Sequence, residues 1–285
     1  MAPSQHAGRT ADCFGLRQCR SESSKIYAFI HYFLQPVANL HESYIQDTYH
    51  FINKIRGQII QPDWLLISAN VESLYTSNMQ IDLILESIRE IFQEFPDLQR
   101  PDEGVLGLLE TTLRCNDFEF NGHYFLQVCG IAMGQKYSPA AANIYLRKFD
   151  HRAMHDFPVK PRLYSRFLDD IFAIWPGTRA QLTQYQEFLN GLIPGIKVMF
   201  AVRDQIIEFL DIMVYKARDE QGHCVLQTKV YFKPTDTHQL LHRISFHPAH
   251  TFKGIVKSQF IRFKRISTTY TDYSDACRTL NLRRC

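Results

Sequence analysis

The order of apolar runs predicts an α+β domain, and three observations carry that reading. Short β-type runs alternate with longer stretches of helical periodicity. Two pairs of runs read as hairpins, one around Asn121-Gly122 and one around Asp169-Asp170. Residues 79–95 form a strong amphipathic pattern that stops at Pro96. At 285 residues, 45% hydrophobic and 21% charged, the chain is long enough and apolar enough for one large domain or two modest ones.

Taken in order, residues 1–25 are polar and without period, and are expected to be irregular or disordered. Residues 26–56 read as helical through Ile26, Phe29, Ile30 and Phe33. Pro36 is expected to interrupt the pattern before a second helix through Tyr44, Tyr49, Phe51 and Ile52. The apolar run 64–69 follows Pro62-Asp63 and predicts a buried strand. In 79–95, Ile81, Ile84, Leu85, Ile88, Ile91, Phe92 and Phe95 share one face, while Glu86, Arg89, Glu90 and Glu94 point away. Runs 118–120 and 124–126 flank Asn121-Gly122-His123, a tight-turn signal. Pro139 can open a helix to about residue 154, because its missing N–H costs nothing there.

Strands are then predicted at 163–168 and 171–175, a helix at about 179–192, and further strands at 196–200, 206–210, 212–215 and 225–232. Basic and apolar residues interleave over 252–266, a pattern that fits a helix. No internal repeat or low-complexity linker is visible. The organisation expected is an irregular 1–25, a main domain over 26–232 and a basic segment over 233–285.

No apolar run approaches the roughly 18 to 20 residues that cross a bilayer. Arg9, Arg17, Arg20 and Lys25 are not followed by a signal-peptide apolar stretch, so an intracellular protein without membrane partners is expected. The seven cysteines are scattered, with no C-x2-C pair, and reduced thiols are expected rather than a zinc site or disulfide framework. Net charge is only +3, but from Arg243 onward nine Lys or Arg residues face two acidic ones, Asp272 and Asp275. The remaining 242 residues therefore hold 23 basic and 27 acidic residues of the chain's 32 and 29. A basic excess confined to one end suits a segment lying along phosphates, and equally a solvated tail.

Two groups of residues could carry chemistry. Asp169-Asp170 lies within Arg166-Phe167-Leu168-Asp169-Asp170-Ile171-Phe172. Adjacent carboxylates at the turn of an apolar hairpin repel unless something compensates, and a hard divalent cation, Mg²⁺ or Mn²⁺, would. An isolated Asp-Asp pair is more often an exposed turn; the apolar strands on both sides weigh against that here. Residues 130–143, with Gly130, Met133, Gly134, Ser138-Pro139 and Asn143, form a glycine-containing loop before a helix start, where the backbone could approach a ligand closely.

Together these residues resemble the palm of reverse transcriptases. Asn70-Val71-Glu72-Ser73-Leu74-Tyr75-Thr76 resembles the family's first carboxylate motif. Residues 130–143 resemble its template and nucleotide motif, and 166–171 its Asp-Asp hairpin. Further pieces are similar to Penelope-like retroelements in particular. These are Ser43-Tyr44-Ile45-Gln46-Asp47-Thr48, Phe209-Leu210-Asp211, Lys233-Pro234-Thr235-Asp236-Thr237, and His247-Pro248 ahead of Gln259, Arg262 and Arg265-Ile266. The likeness spans roughly residues 26–275 in order. It implies a right-hand polymerase palm, an antiparallel sheet backed by helices, with a partial helical thumb.

The resemblance also implies an activity: template-directed nucleotidyl transfer by two Mg²⁺ ions (Mn²⁺ as an alternative), with RNA template, DNA primer and deoxynucleoside triphosphates as partners and a nuclear location. Carried over, Asp169 is the principal metal ligand with Asp170 beside it, Asn70 stands at the first catalytic carboxylate, and the Val71 carbonyl is an auxiliary ligand. Tyr75 is the gate against ribonucleotides, while Met133 and Gly134 line the nucleotide pocket. Lys197 is a weaker candidate for the leaving phosphate and reads equally as a surface strand residue. Arg243, Lys253, Lys257, Arg262, Lys264 and Arg265, interleaved with Phe260 and Phe263, suit a primer–template backbone.

The chain departs from the family at position 70, where Asn replaces Asp, and at Ile193-Pro194-Gly195, where the family often has His-Pro. Neither the fingers motifs nor an appended endonuclease is evident. The expectation is an RNA-directed DNA polymerase by descent that is impaired or inactive. The alternatives are a non-catalytic nucleic-acid-binding remnant and a degenerate copy that folds poorly.

Overall fold

The computed structural model describes residues 23–75, 79–235, 241 and 244–282. Residues 1–22, Thr76, Asp236, Thr237 and Arg243, on which part of the sequence reading rests, lie outside the described residues. The elements in order are α1 (Ser24–Ala38), α2 (Thr48–Ile55), β1 (Leu65–Val71), α3 (Ile81–Glu94), α4 (Asp102–Arg114), β2 (Asp117–Phe120), β3 (His123–Leu126), α5 (Ser138–His155), β4 (Leu163–Phe167), β5 (Asp170–Trp175), α6 (Arg179–Leu192), β6 (Val198–Arg203), β7 (Ile206–Phe209), β8 (Ile212–Arg218), β9 (Cys224–Val230), α7 (Ala249–Ile266) and α8 (Tyr270–Leu282). They divide into two units, one holding residues up to 40 and 73–146, the other 41–72 and 147–285.

The second unit contains a four-stranded sheet ordered β4-β5-β1-β6 and a three-stranded sheet ordered β7-β8-β9, with every ladder antiparallel. β1 is central because Leu65, Leu66, Ile67, Ala69 and Val71 are all buried, the near-continuous apolar run of a strand covered on both faces. One core gathers Leu66, Phe172 and Ile174 of the larger sheet with Phe209, Ile212 and Val214 of the smaller. Phe51 and Ile52 of α2, Phe263 and Ile266 of α7, and Leu280 of α8 close it. Phe51, Phe172 and Phe209 meet there, ring centroids 4.7 to 5.5 Å apart. Elsewhere Trp175 stacks on Tyr185 of α6, whose hydroxyl donates to the Ala153 carbonyl of α5. α6 starts with the reciprocal capping box of Thr178 and Gln181.

In the first unit, α4 packs on α1 and α3. α3 buries Ile81, Ile84, Leu85, Ile88, Ile91 and Phe92, as its spacing predicts. β2 and β3 pair with Phe120 opposite His123, so Asn121 (φ 52°) and Gly122 (φ 77°) form the two-residue turn with both φ positive that Asn-Gly favours.

Several expectations change. Tyr44, expected in the second helix, lies ahead of α2, which its Asp47 cap starts at Thr48. Pro36 does not interrupt α1; the helix runs past it to Ala38, because Leu34, Val37 and Ala38 are buried and that burial outweighs one lost backbone bond in the last turn. α4, whose pattern Gly104 and Gly107 dilute, and α8, which buries little beyond Ala276 and Leu280, carry too weak an apolar period to be seen in sequence. β6 begins at Val198 rather than 196, leaving Lys197 ahead of the strand. β9 ends at Val230 rather than 232. The α+β class with antiparallel sheets and helices stands. No helix among the described residues is long and apolar enough to cross a membrane.

Candidate active site

β1 carries Asn70 into the second unit's acidic hairpin. Its neighbours β5 and β6 place Asp170 opposite Asn70 on one side and Met199 on the other. Across β4 and β5, Phe167 pairs with Asp170, so Leu168 and Asp169 alone make the turn. Leu168 adopts φ 53°, a left-handed conformation costly for a side-chain-bearing residue, and the surroundings hold it there. The Val71 amide donates to the Asp169 carbonyl at 2.8 Å. The Arg166 guanidinium donates through Nη1 to the Leu168 carbonyl at 2.9 Å.

At this turn Asn70 Nδ2 donates to Asp170 Oδ1 at 3.3 Å and reaches Asp169 Oδ2 at 3.5 Å. The Asp170 carboxyl is pushed above its usual range, first by burial and then by the Asp169 charge. Donation from Asn70 and the Lys233 ammonium pull it partly back. Two carboxylates thus share a small space with incomplete charge compensation. Oxygen donors of this kind fit a hard divalent cation. Among the described residues no group of three or more His, Cys, Asp and Glu side chains is placed to hold a metal. Asn70 turns an N–H donor toward the two carboxylates, where an aspartate would add a third anionic acceptor.

The other expected site residues fall into two further places. Tyr75, Met133 and Gly134 belong to the first unit. There the Tyr75 carbonyl accepts from the Ile131 amide at 2.9 Å, and Gly130 (φ 81°) comes so close that a Cβ on it would lie 2.2 Å from that oxygen. The close approach expected of this loop is therefore, at Gly130, to the protein's own backbone rather than to a ligand. Gly134 (φ 94°) has open space around it, and Met133 is 45% exposed. Ser138 donates to the Ala132 carbonyl at 2.7 Å and ties this loop to the start of α5. Val71 is buried, and Lys197 is exposed with its carbonyl accepting from the Glu72 amide.

The basic residues of α7 divide by role. Arg262 is half-buried and grips Asp211 Oδ2 through Nε at 3.1 Å and Nη2 at 2.7 Å, while Thr48 donates to the other Asp211 oxygen. Arg265 lies 5.5 Å over the Tyr49 ring. Lys253, Lys257 and Lys264 are exposed at helical spacing and line an open surface hollow together with Phe252, Val256 and Phe260. Sequence reasoning missed Asp150, a single buried acid on the apolar face of α5 among Tyr145, Leu146, Phe149 and Ala153, and the electrostatic part of Lys233. That lone acid in an otherwise apolar stripe was the available signal.

Residues 239–283 match the animal helix-turn-helix domain family. No curated protein matches the sequence. The fold is similar to telomerase from Candida albicans in complex with a TWJ fragment of telomeric RNA, with a TM-score of 0.64 at 14% identity, over 94% of this chain and 47% of that one. Telomerase from Candida tropicalis in complex with the same kind of fragment gives 0.53 at 13% identity, over 93% and 46%. The chain thus spans about half the length of these structures. At such identities the likeness is one of fold: this chain shares the polymerase-like fold of these telomerase structures, with Asn70, Asp169 and Asp170 together at one end of its four-stranded antiparallel sheet.

Proposed function

We propose that this chain is the reverse transcriptase domain of a Penelope-like retroelement, an RNA-directed DNA polymerase whose nucleotidyl transfer is impaired at position 70. The observation that carries the proposal is the register of β1 against the acidic hairpin, which sets Asn70 directly opposite Asp170 and within 3.5 Å of Asp169. Asp169 and Asp170 would hold the hard cation, Mg²⁺ or Mn²⁺, with the Val71 carbonyl as an auxiliary donor. Bound there, the cation would supply charge neutralisation for the primer 3′-hydroxyl and the departing pyrophosphate. Tyr75 would exclude ribonucleotides, and Met133 and Gly134 would line the nucleotide pocket. RNA template, DNA primer and deoxynucleoside triphosphates are the partners this reading names, in the nucleus.

Asn70 supplies no negative charge. If that removes about 3 to 4 kcal/mol of transition-state stabilisation, the rate falls by several hundredfold. A second reading, a non-catalytic nucleic-acid-binding remnant, is favoured by the exposed Lys253, Lys257 and Lys264 of α7. Primer extension on RNA and DNA templates with Mg²⁺, by the parent and by Asn70→Asp, separates the two. Extension by the variant alone supports the polymerase reading. Salt-sensitive binding of primed template with no extension by either chain supports the remnant. Equal extension by both contradicts the role given to Asn70.

A further inference from the structure

The same tripeptide, Phe-Leu-Asp, turns two hairpins of the second unit; each Asp carbonyl accepts a backbone amide, and the turns differ in what holds the Leu carbonyl and the Asp carboxylate. Phe167-Leu168-Asp169 joins β4 to β5 with Leu168 at φ 53°, and Phe209-Leu210-Asp211 joins β7 to β8 with Leu210 at φ 54°. In the second turn the Asp211 carboxylate is spent on structure, accepting from Thr48 and Arg262, and the Asp211 carbonyl accepts from the Tyr231 amide at 3.0 Å. In the first turn both carbonyls are captured by other groups. Leu168 O accepts from Arg166 Nη1, and Asp169 O accepts from the Val71 amide. Asp169 is thereby fixed through its backbone, with its carboxylate beside Asn70.

The residue before the tripeptide makes the difference: Arg166 in one turn, Glu208 in the other. Arg166 is 1% exposed and Asp150 of α5 is 0% exposed. Arg166 Nε lies 2.8 and 3.0 Å from the two Asp150 oxygens, and Nη2 lies 2.7 Å from Oδ2. Asp150 also accepts from Ser43 Oγ at 2.7 Å and Tyr164 Oη at 3.1 Å. The Arg166 backbone is clamped as well, donating to the Ser43 carbonyl and accepting from the Ile45 amide. A buried ion pair adds little net stability over a well-packed apolar pair, so stability alone does not account for it. A planar guanidinium held by a buried carboxylate can, however, aim one N–H at a chosen point with little freedom.

We propose that Asp150 and Arg166 are positioning residues for the Asp169 turn: Asp150 orients the guanidinium, and its Nη1 holds Leu168 in the left-handed conformation that presents the Asp169 carboxylate. The extension of this claim to metal binding rests on the polymerase reading above; the claim about the turn does not. Hydrogen exchange read at single amides tests it. Val71, bonded to Asp169, reports the first turn, and Tyr231, bonded to Asp211, serves as internal control.

Arg166→Lys keeps a cation against Asp150 but loses the planar fork. The expected result is Val71 exchange faster by about tenfold to a hundredfold with Tyr231 unchanged. If Arg166→Lys does not fold, the neutral pair Asp150→Asn with Arg166→Gln is measured instead, with the same expectation. Unchanged Val71 exchange, or equal acceleration at Val71 and Tyr231, overturns the proposal, the latter showing a purely structural pair. Mn²⁺ titration of Asn70→Asp with and without Arg166→Lys then separates the two claims. Weaker binding in the double variant extends positioning to the metal. Absence of Mn²⁺ binding in both, with the exchange result intact, removes the polymerase reading and leaves the turn's positioning standing.

Discussion

At the scale of single residues, the chemistry turns on where charge is and is not compensated. Asp170 is held above the ordinary carboxylate range by burial and by Asp169, so at neutral pH its ionised form works against the fold. Asp170→Asn is therefore expected to stabilise the protein at pH 7, by a few tenths to about 1 kcal/mol after solvent screening, and chemical denaturation reads it. A fall in stability would show that repulsion at the turn is already offset. The glycines of the 130–143 loop make a matched pair. Gly130→Ala drives a Cβ into the Tyr75 carbonyl at a positive φ and is expected to cost about 2 to 4 kcal/mol. Gly134→Ala has room for the methyl and is expected to cost about 1 kcal/mol for the backbone alone. Thermal unfolding of the two variants orders them; equal costs would mean the loop yields at Gly130. The sequence marked Asn70, Asp169, Asp170 and both glycines through local motifs. What Gly130 approaches was not legible, because its neighbour Tyr75 is distant in the chain.

At the scale of elements, α7 shows what a charge pattern reveals and what it hides. Interleaved Lys, Arg and Phe residues predicted a helix and a nucleic-acid face, and the helix is present. The pattern could not sort its cations, since Arg262 is committed to Asp211 of the β7–β8 turn while Lys257 and Lys264 stand exposed. Arg262→Ala is therefore expected to lower stability by about 1 kcal/mol, as a part-exposed ion pair with two N–H donors on one Asp211 oxygen is broken. Lys257→Ala with Lys264→Ala is expected to leave stability within about 0.5 kcal/mol. The same double change should reduce the salt dependence of nucleic-acid binding by about one to two counterions. Thermal denaturation beside binding at graded salt checks both halves; stability loss in the lysine variant would contradict this division. Strands were read well where both faces are apolar, as in β1 and β5. α8 was not, because only one sparse stripe of it is buried.

At the scale of the whole molecule, the α+β class and the order of the palm-like elements were legible, since strand and helix periods are local properties of the chain. The buried Asp150–Arg166 network was not, because its members come from residues 41 to 166 and meet only in the fold. It has a signature in the pH dependence of stability. His41, 4% exposed, is lowered to about 4 by burial and then by the Arg166 charge. The unfolded chain takes up that proton near its ordinary pKa of about 6.5, so the stability from neutral His41 is complete above 6.5 and lost as pH falls toward 4. Relative to His41→Asn, the parent is expected to lose about 3 kcal/mol more between pH 7 and 4. Parallel pH profiles would mean that His41 protonates without cost. The proposed metal site, left one anion short by Asn70, is built from residues of one unit alone. Its most direct test is the Mn²⁺ dependence of thermal stability in the parent and in Asn70→Asp. At a hundredfold excess over Kd, the variant is expected to gain about 2.7 kcal/mol, roughly 5 to 10 °C, while the parent shifts by less than about 2 °C. Equal shifts in the two proteins, or none in the variant, would contradict it.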